Sequence, residues 1–171
     1  MDLAQKLRIV PDFPHPGIRF VDITPLLQDH SAFRQAFDQI VTWASALEFD
    51  LVVAPEARGF LLGAPLALQL GKGFVPVRKP GKLPHQIEQG AYQLEYGEAK
   101  LEIHRDALLP GQRVLVVDDL LATGGTVLAT ADLVQRLGGK TVGFGFLVEL
   151  AFLPGRASLG DAPVFSVLKV N

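Results

Sequence analysis

Apolar runs and amphipathic stretches alternate along this chain. After Ser31, which has the residue type of a helix N-cap, Phe33, Phe37, Ile40, Val41, Ala44 and Leu47 recur on one face at helical spacing. Then "FDLVVAPEARG" gives a short apolar run ending in a polar turn. "GFLLGAPLALQL" predicts a buried helix, and "GFVPV" a second short strand. "RVLVVDD" predicts a third strand, apolar until it meets two aspartates. The helix "TVLATADLVQRL" and the strands "TVGFGFLVEL" and "PVFSVLKV" complete the series. Apolar strands alternating with helices predict an α/β fold, a mostly parallel twisted sheet flanked by helices. Such sheets take ligands beyond the carboxyl ends of their strands, where Glu56 and Asp118 fall. The middle of the chain departs from this rhythm. "AYQLEYG" and "KLEIH" alternate with period two and predict a two-stranded ribbon behind a loop bearing Arg78, Lys79 and Lys82. Residues of about 78–104 therefore read as a basic loop and flap inserted into one domain.

Composition narrows the classes. A chain of 171 residues suits one domain spanning 1–171. Hydrophobic residues make up 49% and charged residues 20%, a globular balance. The net charge of −2 offers no overall attraction to nucleic acid. With no cysteine there is no disulfide or thiolate metal site. His15, His30, His85 and His104 lack metal-ligand spacing, so no protein-held metal is expected. The first residues, "MDLAQKLRIVPDFPHPG", carry charges throughout and lack the apolar core of a signal peptide. "GFLLGAPLALQL" is too short to span a bilayer. A cytoplasmic protein with neither nucleic-acid nor membrane partners is expected.

The densest chemistry lies in "VLVVDDLLATGGTV", Val114 to Val127. A turn that feeds a helix has N–H groups without partners, and these with the helix dipole favour an anion. Gly124 and Gly125 allow close backbone approach; Thr123 and Thr126 add hydroxyls. Asp118 and Asp119 would repel a phosphate seated on them, so they suit the two hydroxyls of a ribose. One sugar phosphate satisfies both halves. Two other phosphate motifs fail. The turn is no GxGxxG, and "GGKT" at 138–141 has Val134 where a P-loop needs its first glycine and follows a helix instead of opening one.

This stretch resembles the phosphoribosyl diphosphate (PRPP) motif of type I phosphoribosyltransferases. "FPHPGIRFVDITPLL", "EARGF", "VPVRKPGKLP" and "LEYG", in that order, are similar to the adenine phosphoribosyltransferases. The resemblance covers nearly the whole chain. It implies the reaction adenine + PRPP → AMP + diphosphate in purine salvage, with Mg²⁺ carried by PRPP and diphosphate, in a homodimer. It implies a base-binding segment over about 1–30. Asp118 and Asp119 match the ribose-binding acids, and Ala122, Thr123, Gly124, Gly125 and Thr126 the 5′-phosphate loop. Glu56, Ala57, Arg58 and Gly59 match the diphosphate loop, which in the family tends to hold a cis non-proline peptide. Arg78, Lys79 and Lys82 match basic residues near the diphosphate. Arg19 and Val21 match positions whose backbone reads the adenine edge, and Phe20 and Leu150 the apolar plates on its faces. Glu95 matches the catalytic carboxylate and Tyr96 beside it the mobile flap. Pro55, "HQIEQG" and "AFLPGRASLGDAP" depart from the family pattern. The rival readings are a transferase for xanthine or guanine, and a regulator that only senses PRPP. The second usually carries a nucleic-acid-binding domain, for which no basic tail or spare length is seen.

Overall fold

A computed structural model describes residues 1–93 and 97–171. The chain divides into two compact units, residues 1–39 and 40–171. The first holds a 3-10 turn, Leu3–Lys6, and an antiparallel hairpin of β1 (Arg8–Pro11) and β2 (Arg19–Asp22). Helix α1 (Thr24–Gln28) and the start of α2 (His30–Ser45) follow. The cap of α2 differs from the Ser31 expected. Asp29 Oδ1 accepts the N–H groups of Ser31 at 3.0 Å and Ala32 at 3.1 Å, so the capping side chain lies two residues earlier. Lys6 Nζ lies 2.7 Å from the same carboxylate, which holds Asp29 below the usual carboxylate range.

The second unit is built on a five-stranded parallel sheet. In chain order its elements are β3 (Leu51–Pro55), α3 (Arg58–Gln69), β4 (Gly73–Val77), β5 (Ile87–Gln93), β6 (Glu98–His104), β7 (Arg113–Leu121), α4 (Gly125–Arg136), β8 (Lys140–Leu150), the short α5 (Gly155–Ser158) and β9 (Val164–Val170). The order across the sheet is β4-β3-β7-β8-β9. β5 and β6 form the separate antiparallel ribbon; β5 begins four residues before "AYQLEYG" and β6 two residues before "KLEIH". The apolar runs of β3, β7 and β8 are buried because parallel strands are covered on both faces. Val53, Val77 and Val116 pack with Leu101 and Ile103 of the ribbon and Leu133 and Val134 of α4. On the α3 side, Gly63 lies against Ala54 and Phe74; a Cβ there would stand 2.8 Å from Ala54 Cβ. The expectation of a buried α3 holds for one face only, since Leu61 and Leu68 are 47% and 83% exposed. Trp43 stacks on Phe165 of β9, with ring centroids 5.4 Å apart.

The strand order fixes where a ligand can enter. The β3–α3–β4 crossover runs to one side of the sheet and β7–α4–β8 to the other. Between β3 and β7 the direction reverses, and the carboxyl ends there diverge into a crevice.

Candidate active site

Pairing of β3 with β7 stops at Val53↔Val116, while pairing of β7 with β8 continues to Leu121↔Glu149. Asp118 and Asp119 thus lie on the part of β7 that has lost its β3 neighbour. They are 9% and 5% exposed. Asp118 Oδ1 accepts the Asp119 N–H at 2.8 Å, and Arg58 Nε donates to Asp119 Oδ2 at 2.5 Å. Burial, then the neighbouring Asp119 charge, pushes the Asp118 carboxyl well above its ordinary value.

The chain turns beyond β7 at Gly124, whose φ of +88° is a left-handed conformation suited to glycine. Gly124 caps α4 and accepts Leu128 N–H at 2.9 Å. Asp118, Leu120 and residues 122–127 line a hollow of about 70 Å³. Its floor is a helix N-terminus, so the anion site expected at Ala122, Thr123, Gly124, Gly125 and Thr126 has the geometry to act as one.

Across the crevice, β3 ends at Pro55. Because the ladder to β7 ends at Val53, the missing N–H of Pro55 removes no bond on that side; on the other, Glu56 N–H reaches Val77 O at 2.9 Å. The Glu56–Ala57 peptide is cis. Arg58 and Gly59 open α3. A Cβ on Gly59 would stand 2.9 Å from Asp118 Oδ1, so the absence of a side chain lets the first turn of α3 close on the acid pair.

The chain compares closely with known proteins of one kind. The model of the phosphoribosyl transferase domain matches residues 26–170. The adenine phosphoribosyltransferase of Thermotoga neapolitana is 59% identical over 159 residues, 93% of this chain and 94% of that one. The chain belongs to the adenine phosphoribosyltransferase family. The crystal structure of the Thermoanaerobacter pseudethanolicus member superposes with a TM-score of 0.96 at 53% identity, covering 99% of this chain and 98% of that one. The Saccharomyces cerevisiae member, solved with an imino-altritol bisphosphate and adenine, gives 0.89 at 40% identity, covering 98% and 97%.

The other positions singled out by resemblance to the adenine phosphoribosyltransferases distribute as follows. Glu56 Oε1 accepts from Arg78 Nε at 3.2 Å and from Lys79 N–H at 2.8 Å, which ties the basic loop to the end of β3. Lys79 and Lys82 are exposed. Arg19, Phe20 and Val21 lie together on β2, with Phe20 edge-on to Phe13 at 5.1 Å between centroids. Leu150 is the buried last residue of β8. Glu95 and Tyr96 fall outside the described residues.

Three features had not been singled out. Tyr92 of β5 borders Gly125, where a Cβ would meet its ring at 3.3 Å. Glu102, 7% exposed, accepts from Gly81 N–H at 3.2 Å and Gln89 Nε2 at 2.9 Å, which joins the basic loop to the "HQIEQG" strand. Glu149 and Arg156 form a fork, with Nε–Oε1 at 2.8 Å and Nη2–Oε2 at 2.6 Å. An acid inside the apolar run "GFLVEL" was the available signal, since a buried carboxylate demands a partner.

Proposed function

We propose that this chain transfers the 5-phosphoribosyl group of PRPP to adenine, releasing diphosphate and forming AMP in purine salvage. The observation that carries this reading is the pairing, in one crevice, of two buried acids with a helix-N-terminal anion cradle a few residues on. The acids accept the ribose hydroxyls while the cradle takes the 5′-phosphate. The diphosphate then points toward Glu56, Ala57, Arg58 and Gly59, with Arg78, Lys79 and Lys82 supplying further positive charge. Arg58, already on Asp119, links the two subsites. Mg²⁺ comes with PRPP and shields the diphosphate; a pair of carboxylates beside substrate phosphates is a donor set of the kind this cation takes from proteins.

Breaking the bond to diphosphate leaves positive character on the sugar, so stabilising the leaving group lowers the barrier. By the family resemblance Phe20 and Leu150 match the plates on the adenine faces, and a held base fixes N9 against C1. Arg19 and Val21, two apart on β2, turn their backbone groups to the same side of the hairpin, a fixed polarity suited to a 6-amino rather than a 6-oxo purine. Glu95 accepts the hydrogen at N7, which makes N9 a better nucleophile. Tyr96 and the flap exclude water that would hydrolyse PRPP. The enzyme acts as one catalytic domain per chain, in a cytoplasmic homodimer. Among the described residues no helix is long and apolar enough to cross a membrane.

Incubation with PRPP, Mg²⁺ and a panel of purines tests the proposal. Adenine should be used best, with hypoxanthine and guanine disfavoured by about 10⁴ where a buried polar edge is mismatched. Guanine or xanthine as the best substrate would overturn the base site and leave the sugar-phosphate site standing. PRPP binding with no transfer to any base would support the regulator instead.

A further inference from the structure

We propose that Gly155 and Ser158, anchored by the Arg156–Glu149 fork, are positioning residues that set the direction of the N–H groups in the phosphate cradle. The inference rests on the reading of residues 122–126 as the 5′-phosphate seat.

Glu149 is 4% exposed and pairs across the ladder with Leu121, the last residue of β7. Arg156 meets both its oxygens and also donates from Nη1 to Val164 O at 3.0 Å. One planar guanidinium therefore ties α5 to the end of β8 and the start of β9, with the geometry fixed by the fork. That leaves α5 little freedom to shift.

The held segment presses on the back of the cradle. Ser158 Oγ lies 2.6 Å from Gly155 O and 3.2 Å from Thr123 O, so its proton is shared between the two carbonyls. A Cβ on Gly155 would collide with Ala122 O, and one on Gly124 would stand 2.5 Å from Ser158 Oγ. The carbonyls of Ala122 and Thr123 thus face α5. In a trans peptide the N–H points opposite to the C=O. The N–H groups of Thr123 and Gly124 are accordingly turned away from α5, toward the hollow these residues line. Without the buttress the same peptides could rotate, and the donors would no longer be preorganised.

The test compares AMP affinity by calorimetry, and KM for PRPP and for adenine, in the full chain. Arg156→Met alone leaves the buried Glu149 carboxylate without its guanidinium, so its instability would obscure the result. The double variant Glu149→Leu with Arg156→Met removes both charges. It should recover a Tm near that of the parent while binding AMP about tenfold or more weakly and raising KM for PRPP, with KM for adenine unchanged. Ser158→Ala alters one exposed hydroxyl and should weaken AMP by about two- to tenfold. Parent-like AMP affinity in the stable double variant overturns the proposal. If the double variant does not recover its Tm, Ser158→Ala decides alone, and parent-like affinity there overturns it equally. A parent protein that binds neither AMP nor PRPP overturns the reading of the seat itself, and the inference with it.

Discussion

Asp118 is a carboxyl kept from water beside a second carboxylate, and its own charge is what the folded chain resists. The unfolded value lies near 3.8 and the folded value well above it. Between the two, the native state binds more protons than the unfolded one. The resulting contribution to stability is complete below the unfolded value and is lost as pH rises through the folded one. Asp118→Asn, which keeps the acceptor for Asp119 N–H, should therefore be more stable than the parent at neutral pH, with an advantage that shrinks on acidification. Urea unfolding of both proteins across pH checks this; an advantage independent of pH would refute the assignment. The same variant should bind AMP more weakly, because a ribose diol donates best to a charged carboxylate. This residue was legible from the sequence by type and place, as two acids closing an apolar strand. Its pairing was not. Nothing in the order of residues says that Arg58, 61 positions away, reaches Asp119.

Among elements, α3 carries two glycines one turn apart that face different neighbours. Gly63 meets Ala54 and Phe74 of the sheet, while Gly59 meets Asp118 Oδ1. Alanine improves helix propensity by about 1 kcal/mol, but overpacking at so close a contact costs about 1–3 kcal/mol, and the contact wins. Gly63→Ala should lower Tm and leave KM for PRPP unchanged. Gly59→Ala should also move the acid and raise KM for PRPP by about tenfold. Equal KM effects in the two variants would refute the distinction. The periodicity placed α3, α4 and the five parallel strands to within about two residues, because long apolar runs and helical spacing are strong local signals. It did not give β1 and β2. "RIVP" and "RFVD" are strands of only four residues, the first mostly open to solvent and the second graded from exposed to buried, which leaves no clean alternation to read. Nor did it give α5, a single turn held by the Arg156 fork rather than by its own propensity.

For the whole molecule, the proposed homodimer needs apolar surface to cover, and the outer face of α3 offers some. Leu61 and Leu68 are seven apart, two turns along one face, and Leu68 is among the most exposed apolar side chains in the chain. A stable interface of standard size removes about 800 Å² from each partner, a small part of the 9012 Å² accessible here. Sedimentation at micromolar concentration should show a dimer, and Leu68→Lys should shift it toward monomer. A monomer in an active preparation would count against the pairing. The order of motifs was readable from the sequence. The switch between β3 and β7 was not, because strand neighbours are settled by contacts distant in sequence, such as Asp50 with Arg113, 63 residues apart.

The single tryptophan of the chain lies flat on Phe165, with an interplanar angle of 16°. Phe165 belongs to β9, which pairs with β8 alone. The same ring lies over Gly145 of β8, so indole emission reports the docking of the end of α2 on the β8–β9 edge of the sheet. In a stopped-flow refolding trace it should time that docking, separately from amide signals that report formation of the central strands.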